Sequence, residues 1–164
     1  MNIRPISIDH SLMESYGLDI SHIYNLLTLA KYLINLPENY NHFDMKDYAR
    51  EYTGSIPDAE DVPKMIHACG SVACAVGHGP VAGIAPRRGE WWGSYVSSNF
   101  TGDDSDYNGR IFEQLFESYW SSVDNTPHGA GLRIYYFLEN GLDSICGDTD
   151  RRKHMRKVNE MLVR

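Results

Sequence analysis

His67, Cys69, Cys74 and His78 all fall within the stretch IHACGSVACAVGHGP (66–80), and thiolate and imidazole side chains at that density are the donors zinc prefers. Cys74 and His78, four positions apart, would share one face of a helix, whereas His67 and Cys69, two apart, both reach a metal only from an extended or loop segment. The order H-x-C-x4-C-x3-H differs from finger and ribbon patterns, whose ligands come as two separated pairs. Burial of small cysteines in a tightly packed helix accounts for the same residues. A second chemistry lies in ACGSVAC, an echo of the Cys-Gly-Ser-Cys-Trp run around papain-type nucleophiles, which would make Cys69 the thiolate and His128 or His78 its base. Val72 and Ala73 interrupt that echo, and no aromatic residue follows Cys74.

Three further stretches carry weaker signals. DSDYNGRI (104–111) places Asp104, Asp106, Asn108, Gly109 and Ile111 as in the first half of a calcium-binding EF-hand loop, but its twelfth position is Leu115 instead of the bidentate glutamate. An Asx-rich turn that starts the following helix explains the same residues. GHGPVAG supplies Gly77, Gly79 and Gly83 without matching either phosphate-binding glycine pattern. Arg87 and Arg88, followed by Trp91 and Trp92, would form a rim on which a flat anionic ligand such as a nucleotide stacks between indole and guanidinium; the plainer expectation is one buried and one exposed tryptophan.

The elements that must position these groups are helices. LDISHIYNLLTLAKYLINLPENY has Asp19 or Ser21 as N-cap and apolar residues at Ile20, Ile23, Leu26, Leu27, Ala30, Leu33 and Leu36, which predicts a helix over 20–36 ended by Pro37. Asp44 is the expected cap of a short helix presenting Met45, Tyr48 and Tyr52. Gly70-Ser71 is the expected cap of a helical stretch whose small residues Ala73, Ala75 and Gly77 admit a close neighbour, with Pro80 and Gly83 allowing either one kinked helix or two short ones. EWWGSYVSSNF fits a short helix better than a strand. NGRIFEQLFESYW puts Ile111, Leu115, Phe116 and Tyr119 on one helical face. NTPHGAGLRIYYFLENGL carries both punctuation marks, Thr126-Pro127 at its start and Asn140-Gly141 at its stop. A last helix over 149–164, capped by Thr149 or Asp150, shows a narrow stripe of Met155, Val158 and Leu162. The fold class that follows is mainly α, one compact domain over 1–164 with about six short to medium helices and room for a minor irregular β element.

Composition bounds the function. At 164 residues the chain is long enough for one self-sufficient core, and 42% hydrophobic with 23% charged residues is a globular balance. The longest apolar runs are far short of a membrane span and the N-terminus lacks a signal-peptide core, so the expected location is cytoplasmic, the host cytoplasm for a phage-encoded chain. Three cysteines, Cys69, Cys74 and Cys146, with no secretory signal imply reduced thiols. The net charge of −7 is uneven: residues 151–164 carry +5, leaving −12 on residues 1–150. An acidic body argues against general nucleic-acid binding, and a basic tail docked on that body is the expected arrangement.

The segments LLTLAKYLINLPENYNHFDM (26–45), CGSVACAVGHGPVAGI (69–84) and DNTPHGAGLRIYYFLENGL (124–142) together resemble a family of small bacteriophage and bacterial proteins of unknown activity. The resemblance implies a compact helical protein with the CG-x3-C segment at its centre, and it brings no activity, cofactor or partner with it. With no complete catalytic constellation and 11 tyrosines suited to interfaces, the expected function is that of a non-enzymatic accessory factor which binds or sequesters a protein partner or a small anionic ligand. The alternative is a small Cys/His-dependent hydrolase or zinc-binding protein built on residues 67–78. Zinc is the metal weighed; no other cofactor is expected, and a homo-oligomer is compatible with the composition.

Overall fold

The computed structural model describes residues 2–37, 39–50, 57–66 and 72–164. Among them the α-helices are α1 (His10–Ser15), α2 (Ile20–Ile34), α3 (Val62–Met65), α4 (Trp92–Val96), α5 (Asn108–Leu115), α6 (Pro127–Asn140) and α7 (Gly147–Leu162). A single π-helical turn, Ser97–Thr101, continues α4, and short 3-10 turns cover Ala59–Asp61, Val76–His78 and Ser118–Ser122. No β-strand forms among the described residues; three isolated bridges pair Ile3 with Val163, Phe43 with Ala73 and Arg50 with Val72. The mainly helical class read from the sequence is the one observed.

The two best-punctuated helices form the centre. α2 is capped by Asp19, whose carboxylate accepts the backbone N–H groups of Ser21 and His22, and it buries Ile23, Leu26, Leu29, Ala30 and Leu33. α6 is capped by Thr126, begins with Pro127 and stops where Gly141 takes φ +77. Gly131 lets the pair close, since a Cβ there would lie 2.6 Å from Ile34 and 3.0 Å from the Ala30 carbonyl. α6 is buried nearly all round, with Leu132, Ile134, Tyr136, Phe137 and Leu138 in apolar contact.

Four expectations are corrected. The helix expected from Asp44 does not form, because the Asp44 carboxylate accepts the Lys46 N–H in a turn and segment 43–50 is tied by backbone bonds to residues 72 and 73 instead; Tyr52 lies outside the described residues. The small-residue helix is reduced to the single turn Val76–His78, since Val72 and Ala73 are occupied in bridges to Arg50 and Phe43; Gly70 and Ser71 lie outside the described residues. Ile20 is 76% exposed instead of buried, because it is the first residue of α2 and points away from the core. Tyr119 is 63% exposed because α5 stops at Leu115 and the chain re-enters as a 3-10 turn that sends Trp120 inward in its place.

α7 begins two residues early, with Cys146 at its cap and the Asp150 carboxylate accepting the Cys146 N–H at 3.1 Å. Its stripe of Met155, Val158 and Leu162 is buried as expected. The basic helix docks on its own body: Lys157 Nζ lies 3.2 Å from Asp143, and Arg152 donates to the Ser122 carbonyl at 3.3 Å. An extended N-terminal segment, residues 2–9, runs across the ends of α7 and α6. Arg4 N–H donates to Leu162 O at 3.0 Å, Arg164 N–H to Asn2 O at 2.9 Å, and the Arg4 guanidinium pairs with Glu139.

Candidate functional site

Of the Cys/His set, His67 and Cys69 lie outside the described residues, and the other two are core groups. Cys74 is 3% exposed with Sγ 3.9 Å from the Tyr48 carbonyl, and burial pushes its thiol up to about 12. That is the opposite of what a thiolate nucleophile needs. His78 is fully buried; its Nδ1–H donates to the Cys74 carbonyl at 2.9 Å and its ring packs among Tyr32, Tyr40 and Phe43. Both side chains therefore shape the turn Val76–His78 within the core. His128 is half-buried at the second position of α6, on a different element. Among the described residues no group of three or more His, Cys, Asp or Glu side chains is placed to hold a metal ion.

The other sequence candidates resolve into local structure. Asp104 Oδ1 accepts the Asp106 N–H at 2.9 Å and its carbonyl accepts those of Tyr107 and Asn108, so the aspartate-rich run is an Asx turn that opens α5. Gly77 and Gly79 are filled against by protein: a Cβ would meet the Tyr48 carbonyl at 1.3 Å on the first and Tyr95 Oη at 2.4 Å on the second. No room is left there for a phosphate. Trp91 and Trp92 diverge, the first 72% exposed, the second stacked on Tyr48 at 5.5 Å and edge-on to Tyr95 at 5.7 Å. Arg87 and Arg88 are exposed, and among the described residues neither guanidinium lies over an indole. The two-tryptophan rim therefore does not form; its exposed members are Arg87, Arg88 and Trp91.

Sequence reasoning missed a polar cluster assembled by α6, α7 and the loop between them. Asp143 accepts from His154 Nδ1 at 2.9 Å, from Lys157 at 3.2 Å and from Tyr136 Oη at 3.3 Å. Against burial, which raises it, these three bonds hold the Asp143 carboxyl below its ordinary range. Behind them Arg133 is fully buried over the Trp120 ring at 4.3 Å, its Nη atoms facing the sulfurs of Met155 and Met45. Burial lowers its guanidinium to about 10. One signal was available: His154, Val158 and Leu162 recur at four-residue spacing, the same stripe that buries α7.

This cluster predicts a pH dependence. His154 is held below the ordinary histidine value of 6.5 by burial, and by Arg133 and Lys157, against the opposing pull of Asp143. A histidine with a lowered folded value binds its proton more readily when unfolded, so its contribution to stability is full above about 6.5 and is lost as pH falls through that value toward the folded one. Urea denaturation at pH 7 and pH 5 should show a loss of stability that is smaller in a His154→Gln variant. Equal losses in the two chains would show that His154 is not the titrating group.

A concave surface lies elsewhere, between α1 and the start of α2. A groove of about 460 Å³ is lined there by His10, Glu14, Leu18, Asp19, Ile20 and Ile23. Ile20 at 76% and Tyr24 at 68% exposure stand one helical turn apart beside it. Loop 102–106 flanks the groove: a Cβ on Gly17 would touch Asp104 Cβ at 3.0 Å, and Gly102 packs on Gly17 and Leu18. Asp103, Asp104 and Asp106 on that loop are exposed. Comparison with protein-family models, with curated proteins and with solved structures finds no match for this chain. Among the described residues no helix is long and apolar enough to cross a membrane.

Proposed function

We propose that the protein is a non-enzymatic accessory factor, encoded by a phage or bacterium, that acts by holding a protein partner on the face formed by α1 and α2. The observation that carries this reading is the pairing of Ile20 and Tyr24, two large apolar side chains left in solvent one turn apart at the edge of a groove. Leaving one such side chain exposed is ordinary, whereas a contiguous pair beside a concavity is the composition of a contact surface. The competing Cys/His reading gains no support from Cys74, whose buried, protonated thiol is closed off from substrate.

The test is photo-crosslinking in the cells that express the chain, from a reactive residue placed at position 24. A discrete adduct is expected, about tenfold stronger than from the exposed control position Lys64, and Ile20→Ser should remove it without changing the melting temperature. Adducts of equal strength from positions 24 and 64, or none from either, would overturn the proposal.

A further inference from the structure

We infer that the α1–α2 groove takes a basic amphipathic helix of a partner protein. This rests on the reading of that groove as the binding face and adds the chemistry of what binds. The floor is apolar, formed by the buried Leu18 and Ile23, with the exposed Ile20 at its edge and Tyr24 one turn further along α2. The rim is acidic on both sides, with Glu14 and Asp19 on the groove itself and Asp103, Asp104 and Asp106 on the loop packed against Gly17. His10 lines the groove, and His22 Nδ1 faces Asp19 at 2.7 Å; among the described residues neither lysine nor arginine lines it. Residues 1–150, which hold the whole surface, carry −12.

An apolar floor inside a carboxylate rim matches one kind of occupant, a helix with an apolar stripe flanked by lysine and arginine. The basic helix of a second copy is not the occupant, because the apolar stripe of α7 is already buried on its own body through Met155, Val158 and Leu162. The partner is therefore a different protein.

The probe is a fluorescent synthetic helix of leucine and lysine about four turns long, with its leucine–glutamate counterpart as control, titrated against the whole chain by anisotropy at about 0.05 M and about 0.5 M salt. The lysine peptide is expected to bind and the glutamate peptide not, with affinity falling about tenfold at the higher salt. Ile20→Ser with Tyr24→Ser should weaken it about tenfold, as should Asp103→Asn with Asp104→Asn and Asp106→Asn, which keep the Asx turn. A control removing the same charge at Asp58, Glu60 and Asp61 should change affinity less than about twofold. Equal losses from both acidic triples, or no loss from the apolar pair, would reduce the binding to unspecific charge attraction and overturn the inference. So would self-association of the free chain that the peptide reverses. If the lysine peptide fails to bind while the crosslink from position 24 persists, the partner chemistry is wrong and the binding face stands; loss of that crosslink removes the face itself.

Discussion

Gly77→Ala should lower the free energy of unfolding by about 4 kcal/mol or more, at the far end of what one substitution does. A Cβ at this position would sit 1.3 Å from the Tyr48 carbonyl oxygen and 2.8 Å from Ala73 Cβ. The first clash is with backbone, so no rotamer change relieves it. Segment 43–50 would have to move, and that segment is fastened to residues 72 and 73, just ahead of the turn, by Asp44 N–H to Ala73 O and by the reciprocal bonds of Arg50 and Val72. Moving it breaks hydrogen bonds in a buried region and opens the contacts of Cys74, Ala75 and Val76. Gly109→Ala is the matched control: it lies in α5 with nothing within 4 Å of the new Cβ and should be neutral or stabilising by up to about 1 kcal/mol. Urea midpoints that coincide for the two variants would show that the close approach of segments 43–50 and 76–78 is wrong.

Trp120→Ala should cost about 3–5 kcal/mol, and Trp120→Phe appreciably less. The indole is fully buried and its Nε1–H donates to the Glu113 carbonyl at 3.0 Å. Its ring also carries the Arg133 guanidinium at 4.3 Å and borders Arg151 at 5.9 Å and the His154 ring at 5.7 Å. Truncation removes the packing and the one electron-rich face against which a buried cation is set, because Arg133 has no carboxylate within ion-pairing reach among the described residues. Phenylalanine keeps a ring under the guanidinium and loses chiefly volume and the indole hydrogen bond. The comparison by equilibrium unfolding weighs the ring as a whole: equal losses in the two variants would mean that a ring at this position, its packing and its face under Arg133 together, contributes nothing.

These two positions show what the sequence made legible and what it did not. The start of α2 and both ends of α6 could be read, because Asp19, Thr126, Pro127 and Gly141 act through their own backbones and immediate neighbours, whereas α2 stops at Ile34, short of the expected 36. Segment 43–50 could not, since Asp44 is as suited to a turn as to a helix cap and the choice is made by bonds to residues 72 and 73. The small residues of 73–77 announced a close approach but not what approaches; Tyr48 is known only from the fold. The Cys/His spacing suggested a metal or a thiolate because it is dense in sequence, and the fold spends Cys74 and His78 on packing. The polar cluster stayed hidden for the converse reason: beyond the four-residue recurrence of His154 with Val158 and Leu162, Asp143, Tyr136 and His154 come from two helices and a loop, and no local pattern joins them. Ile20 fitted the apolar period of α2, and only its place on the first turn leaves it in solvent.

The bridge between residues 2–4 and 162–164 closes almost the whole chain into a ring. Closing so long a loop carries an entropy cost that local helices never meet, so the bridge belongs to the last events of folding, after α2 and α6 have brought its two sides within reach. It also sets how the molecule answers to force. Asn2 pairs with Arg164 at one end and Arg4 with Leu162 at the other, so tension pulling residue 2 away from residue 164 opens the bonds one after another, as a zipper opens, instead of loading them together. The first extension under load would free the N-terminal segment and the end of α7 while the α2–α6 centre stays shut.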